Sequence, residues 1–230
     1  MIMGLLTSKI KCGDTSFTHF YLCPYLPLTA GKDTLSLSLL KFKQRIQPDL
    51  DAWIDCSTEL LGVQPFSADT IIIRALHHDE MTARTDLPTA LDLLGHSLAT
   101  RLGCRYLPSL LNKSRKTLPN KHLTRRQRRF QIQEVYQIAT PTPGADGPTL
   151  IPDADDPTPS TPFLLIDDVL TTGATLRALI RTLRDSYPNC PIKTFTLTRA
   201  DYHCPAQPPD ARSETGTLET LKSQIFANTV

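Results

Sequence analysis

The segment that most constrains the fold of this 230-residue chain runs from Phe163 to Thr175 and reads FLLIDDVLTTGAT. An apolar run ends in two carboxylates, and a loop of small and hydroxyl-bearing residues with one glycine follows. The pattern predicts a buried strand over Phe163–Ile166 and a helix over Ala174–Tyr187. Small residues let backbone N–H groups close around an anion, and the helix N-terminus adds a favourable dipole. The loop is therefore predicted to hold a phosphate group.

The two acids beside this loop, Asp167 and Asp168, narrow the kind of ligand. Carboxylates repel phosphate, so they suit a ligand that presents hydroxyls or Mg²⁺ next to its phosphate, as a ribose phosphate does. The alternative is a plain strand–turn–helix corner with a capping Asp or Thr. Neither a P-loop pattern nor a dinucleotide-binding glycine pattern occurs in the chain.

The chain is long enough for one α/β domain with a short accessory segment, and the hydrophobic fraction of 40% is sufficient for a core. No apolar run reaches the ~18 residues of a membrane span, and the first residues do not resemble a signal peptide. The six cysteines are scattered singly, which predicts free thiols. We therefore expect a cytoplasmic protein with no membrane contact.

Strand and helix patterns alternate along the chain. Predicted helices begin at Leu35 (ending near Lys43 and Arg45, before Pro48), at Leu50 (to Leu61) and at Pro88 (to Leu102). Predicted strands cover Asp69–Arg74, Cys104–Leu111, Phe130–Ile138 and Pro191–Thr198, and the first thirty residues suit an edge strand or a packed arm. This alternation predicts a parallel sheet with its ligands beyond the carboxyl ends of the strands.

Three regions follow from these patterns: an N-terminal arm with helices (1–66), a core (67–204) and a polar C-terminal tail (205–230), with one short helix expected over Thr217–Ala227. Residues 140–162 contain seven of the nineteen prolines and no regular period. This stretch is predicted to be a flexible proline-rich insert before the strand that carries the two acids.

The residues Ile166–Thr175 resemble the phosphoribosyl pyrophosphate (PRPP) binding motif of type I phosphoribosyltransferases. The resemblance implies a phosphoribosyltransferase-like parallel sheet flanked by helices. It implies that Asp167 and Asp168 are catalytic residues on the ribose hydroxyls. By position, the 5′-phosphate would be held by Thr171, Thr172, Gly173, Ala174 and Thr175. Mg²⁺ is expected to be held through PRPP itself, with the two acids as additional contacts.

The same resemblance implies that the loop after the first core strand contacts pyrophosphate. Its residues here are Arg74 to Glu80, and the expected donors are the backbone N–H groups of Arg74, Ala75 and Leu76. The Arg74 side chain is expected to clamp pyrophosphate as a third catalytic group. His77, His78, Asp79 and Glu80 also suggest a metal cluster, although a solvated loop explains them more simply.

A basic segment, Lys113–Arg129, carries eight Lys and Arg residues and no acid, although the whole chain has a net charge of only +2. One hypothesis is a flap over pyrophosphate, with Arg115, Lys116 and Lys121 as contacts. Contact with nucleic acid and a solvated helix over Thr124–Arg129 are the alternatives.

The basic segment and the end of the last core strand are similar to the ComF branch of the family. The four-cysteine zinc segment of that branch is absent, since only Cys12 and Cys23 lie near the N-terminus. We expect a phosphoribosyltransferase that transfers phosphoribosyl from PRPP to an unidentified acceptor and releases pyrophosphate. The alternative is a non-catalytic PRPP-binding or DNA-uptake accessory protein. A homodimer is compatible with either.

Overall fold

The computed structural model describes residues 5–25, 34–118, 123–139 and 157–200, together with residue 223. Within these ranges the strands are β1 (Leu6–Cys12), β2 (Thr15–Tyr25), β3 (Ile71–Arg74), β4 (Arg105–Tyr106), β5 (Leu111–Lys113), β6 (Tyr136–Ile138), β7 (Phe163–Leu170) and β8 (Ile192–Ala200). The helices are α1 (Thr34–Lys43), α2 (Asp49–Leu61), α3 (Ala90–Leu102), α4 (Arg125–Ile132) and α5 (Ala174–Ser186).

Six of these strands form one sheet in the order β1-β2-β8-β7-β3-β4. Only β1 is antiparallel to its neighbour, and every other pairing in this sheet is parallel. The carboxyl ends of β2, β8, β7, β3 and β4 therefore meet at one edge, which we call the carboxyl edge. The predicted α/β class, a mostly parallel sheet flanked by helices, is confirmed.

Both faces of the sheet are covered, as continuous apolar strands require. Ile72 packs with α1, α2 and α3 on one face, whereas its neighbours Ile71 and Ile73 pack with α5 on the other. Strand β7 alternates in the same way, with Leu164 on the first face and Leu165 on the second. This two-sided burial fixes the position of β7 in the middle of the sheet and of the two acids near its end.

The strand predicted over Cys104–Leu111 is wrong in its extent. Strand β4 is only Arg105–Tyr106, and a 3₁₀ turn over Pro108–Leu110 separates it from β5. Pro108 has no N–H to donate and its ring fixes φ, so the ladder ends before it. Strand β5 then pairs with β6 in a separate two-stranded antiparallel sheet.

The strand predicted over Phe130–Ile138 is likewise corrected. Its first residues belong to α4, and only Tyr136–Ile138 is a strand. A capping box explains the helix, because the Thr124 hydroxyl accepts from the Gln127 N–H while the Gln127 side chain accepts from the Thr124 N–H. The helix predicted over Thr124–Arg129 is therefore observed as the first part of α4.

At the N-terminus, the predicted edge strand is observed as β1, and the β1–β2 hairpin joins the main sheet through β8. Other predictions lie outside the described residues: Lys121, most of the proline-rich insert, and nearly all of the C-terminal tail with its expected helix. Among the described helices, none combines the length and the apolar character that a membrane crossing needs.

Candidate functional site

The acid pair lies at the carboxyl edge, near the end of β7. Strand β7 runs on to Leu170, so Asp167 and Asp168 are strand residues. The Asp168 N–H donates to Asp167 Oδ1 at 2.9 Å. Burial, together with the neighbouring Asp168 charge, raises the pKa of Asp167 to about 7. Asp167 can therefore gain or lose a proton near neutrality, which an exposed aspartate cannot.

The acid pair forms an ion pair with Lys43, which was not predicted to belong to the site. Lys43, the last residue of α1, places Nζ 2.9 Å from Asp168 Oδ2. Both side chains are partly exposed, at 41% and 28%, so the pair is accessible to a ligand. A basic last turn was visible in the sequence, but the approach of α1 to this edge depends on tertiary packing.

The predicted phosphate loop follows β7 directly and leads into α5. Gly173 has φ +70° in the left-handed region, and a Cβ there would lie 3.1 Å from Arg177 Nη1. The Arg177 guanidinium donates to the Thr172 carbonyl and so holds the loop. The N-cap residue of α5 is Gly173, which has no side chain to cap the helix, whereas Thr89 caps α3 and Thr124 caps α4. The N-terminus of α5 thus keeps N–H groups that an anion would satisfy.

The loop after β3 is already satisfied by protein groups. The Ala75 N–H donates to the Ile166 carbonyl at 2.8 Å, beside the acid pair. The Leu76 N–H donates to Tyr136 Oη at 3.3 Å. Of the three backbone donors predicted for pyrophosphate, these two therefore already have acceptors in this conformation.

Arg74 differs from the prediction. Its side chain is only 1% exposed, and its guanidinium donates to Glu80 at 2.7 and 2.8 Å and to Asp92 at 2.5 Å. Burial alone would lower the pKa of Arg74, but the hydrogen bonds with both carboxylates raise it, so the group stays charged. The expected pyrophosphate clamp and catalytic role of the Arg74 side chain do not fit this geometry, because its donors are directed at internal carboxylates.

Lys113 also lies near the site, although the sequence pattern groups it with the basic segment Lys113–Arg129. It is only 3% exposed, and its ammonium donates to the carbonyls of Leu76 at 3.0 Å and His77 at 2.6 Å. Burial lowers its pKa to about 8. The ammonium also lies 5.6 Å from the centre of the Tyr136 ring. Lys113 and Tyr136 together hold the loop after β3.

The chain beyond Lys113 runs alongside the same loop. The Thr117 N–H donates to the His78 carbonyl at 2.8 Å. Arg115 and Lys116 are exposed on this stretch, and Arg115 donates to the Gln131 carbonyl at 3.3 Å. The structure thus brings these two predicted pyrophosphate contacts to the flank of the loop, while Lys121 lies outside the described residues.

No protein-family model matches this sequence, and no curated protein matches it. Among solved structures, the fold is similar to a hypoxanthine phosphoribosyltransferase from Staphylococcus aureus (13% identity, TM-score 0.35, covering 70% of this chain and 75% of that one). It is also similar to adenine phosphoribosyltransferases from Leishmania tarentolae (14%, 0.39, 84% and 94%) and Trypanosoma brucei (12%, 0.35, 76% and 76%). At these identities and TM-scores, the similarity supports no statement about function.

Proposed function

We propose that this chain binds PRPP at the carboxyl edge, with phosphoribosyl transfer to an unidentified acceptor as its reaction. The observation that supports this most is the succession along β7 and α5. Two adjacent carboxylates near the end of β7 are followed, two residues later, by a loop with a left-handed glycine that leads into the N-terminus of α5. A hydroxyl-bearing phosphate ester matches both halves of this arrangement.

In this proposal, Asp167 and Asp168 accept hydrogen bonds from the ribose hydroxyls, and Thr171–Thr175 surround the 5′-phosphate. Carboxylate oxygens are donors that Mg²⁺ prefers, so the acid pair fits a ligand that carries Mg²⁺. When bound, Mg²⁺ would supply positive charge to the leaving pyrophosphate. Asp167, ionised above pH 7, would favour the positive charge that develops on the ribose.

The pyrophosphate side of the proposal changes with the geometry. Arg74 keeps only a structural part, because its guanidinium is enclosed by Glu80 and Asp92. Among the residues that the structure describes, Arg115 and Lys116 are exposed cations that suit pyrophosphate. Lys121 follows them in the sequence. Closure of this stretch over the ligand would also exclude water from the reacting carbon.

A second candidate is a protein that binds PRPP without turnover, as an accessory protein of ComF type. The engaged N–H groups of Ala75 and Leu76 favour it, because they leave pyrophosphate fewer backbone donors. If Lys113–Arg129 binds nucleic acid, Lys113 is not one of its contacts, since its ammonium is buried against carbonyl groups.

Calorimetry with PRPP and Mg²⁺ tests the proposal. We expect Asp168→Asn to weaken binding at least tenfold, since it removes the charge that orders the ribose and Lys43. The matched control is Asp185→Asn, an exposed carboxylate near the far end of α5, which should bind like wild type. A pyrophosphate-release assay over a panel of nucleobases follows. Binding without release would favour the second candidate, and absence of binding would overturn both.

A further inference from the structure

Three potential metal ligands converge on the loop after β3, outside the acid pair. His77, His78 and Asp79 each offer one donor atom, and these atoms lie within 4.8 Å of one another. The His77 Nδ1 atom and Asp79 Oδ1 share a hydrogen bond. The two imidazole rings lie 4.0 Å apart between centroids and are tilted by 59°. A single ion could therefore replace the shared proton between His77 and Asp79, and the second ring would move closer to complete the set.

The backbone that carries these ligands is held on both sides. Glu80 accepts from the His77 N–H at 2.6 Å and is itself fixed by Arg74 at 2.7 and 2.8 Å. On the other side, Lys113 binds the His77 carbonyl and Thr117 binds the His78 carbonyl. A loop fixed by buried partners loses less conformational entropy when its side chains bind an ion.

The side chains themselves are open to solvent, in contrast to the backbone. His77 is 59% exposed and Asp79 is 62% exposed, so neither packs into a core. His78 between them is half-buried, so an ion would approach from the side of His77 and Asp79. Three protein ligands also leave at least one coordination position for water or for an oxygen of a second molecule.

We propose that His77, His78 and Asp79 bind one divalent transition-metal ion, with Zn²⁺ or Co²⁺ as the fitting class. Two imidazoles and one carboxylate suit these ions, whereas Mg²⁺ prefers an all-oxygen set. Its ligands are different residues from Asp167 and Asp168, and the proposal does not depend on PRPP binding.

The test is titration of the metal-stripped full chain with ZnCl₂ by calorimetry and with CoCl₂ by visible absorption. We expect one equivalent to bind at micromolar concentration or tighter, with the d–d bands of a nitrogen- and oxygen-ligated Co²⁺. His77→Asn/His78→Asn should weaken this event at least tenfold, and Asp79→Asn should weaken it too. His96→Asn is the matched control, since His96 is an exposed histidine on α3 that packs on Tyr106.

Thermal unfolding separates loss of the site from loss of the fold. Without metal, all these variants should unfold close to the wild-type temperature because none of the substituted side chains is buried in the core. With Zn²⁺, wild type and His96→Asn should gain stability, and the double variant should not. Unchanged affinity in the double variant, unchanged affinity in Asp79→Asn, or absence of a one-equivalent event in wild type would each overturn the three-ligand site.

Discussion

His19 is a buried histidine whose protonation should make the stability of the fold depend on pH. It lies on β2 with no solvent exposure, between the hydroxyls of Thr194 at 2.9 Å and Thr196 at 3.2 Å on β8. Burial, and secondarily the charge of Arg199, lower its pKa from 6.5 to about 4. His19 is therefore neutral in the fold at pH 5, whereas the same group in the unfolded chain is mostly protonated.

The sign and the size of the effect follow from this difference. Because the unfolded state binds more protons between pH 4 and 6.5, stability falls as the pH decreases through that window. One pKa unit corresponds to about 1.4 kcal/mol, so the complete effect is about 3 kcal/mol. Between pH 7 and pH 5 the contribution of His19 to the unfolding free energy is expected to fall by about 2 kcal/mol.

Urea unfolding at pH 7 and pH 5, followed by circular dichroism, measures this loss. His19→Gln places a neutral side chain between the same two threonines, so its loss between the two pH values should be about 2 kcal/mol smaller than that of wild type. The exposed His96 provides the control, and His96→Gln should keep the wild-type loss. Equal losses in wild type and His19→Gln would refute the reasoning.

Three further changes probe the surroundings of the site. Arg74→Met should lower the free energy of unfolding in urea by about 3–5 kcal/mol, because it leaves two buried carboxylates without a cation. Its control, Arg115→Met at an exposed position, should lower it by under about 0.5 kcal/mol. A loss below about 1 kcal/mol for Arg74→Met would contradict the buried network. Gly95→Ala would place a Cβ 2.6 Å from Tyr106 Cζ, so overpacking should outweigh the helix-propensity gain and cost about 1–2 kcal/mol; a more stable variant in thermal unfolding would speak against this. Asp167→Asn should raise stability more at pH 8 than at pH 5, because the fold raises the pKa of Asp167 and so disfavours its ionised form; an equal gain at both pH values in urea unfolding would refute that.

The strand that carries the acid pair and the helix that follows it were predictable because their signals are local. The apolar run of β7 and the leucine pattern of α5 lie on either side of one glycine, and both elements are confirmed. The strand end moved from Ile166 to Leu170, since strand pairing with β8 continues past the acids to Leu170. Polar residues inside a strand do not stop it while its neighbour still offers backbone partners.

The partners of the site residues could not be predicted, because they come from distant parts of the chain. Tyr136 lies 60 residues beyond the Leu76 N–H that it accepts from, and Lys113 lies 37 residues beyond the carbonyl of Leu76. The run of basic residues suggested a flap over pyrophosphate, a contact with nucleic acid or a solvated helix over Thr124–Arg129. The structure separates it into a buried ammonium, Lys113, and exposed cations such as Lys116.

The distribution of positive charge at the carboxyl edge bears on whether the proposed PRPP site would support turnover. Arg74 is balanced by Glu80 and Asp92, and Lys113 is enclosed by carbonyl groups, so neither offers charge to a leaving pyrophosphate. Lys43 pairs with Asp168, on the ribose side of the proposed ligand. Turnover would therefore depend on the exposed cations that follow Lys113, whereas simple binding needs only the acid pair and the phosphate loop. Loss of pyrophosphate release with retained PRPP binding in Arg115→Met would separate these two demands.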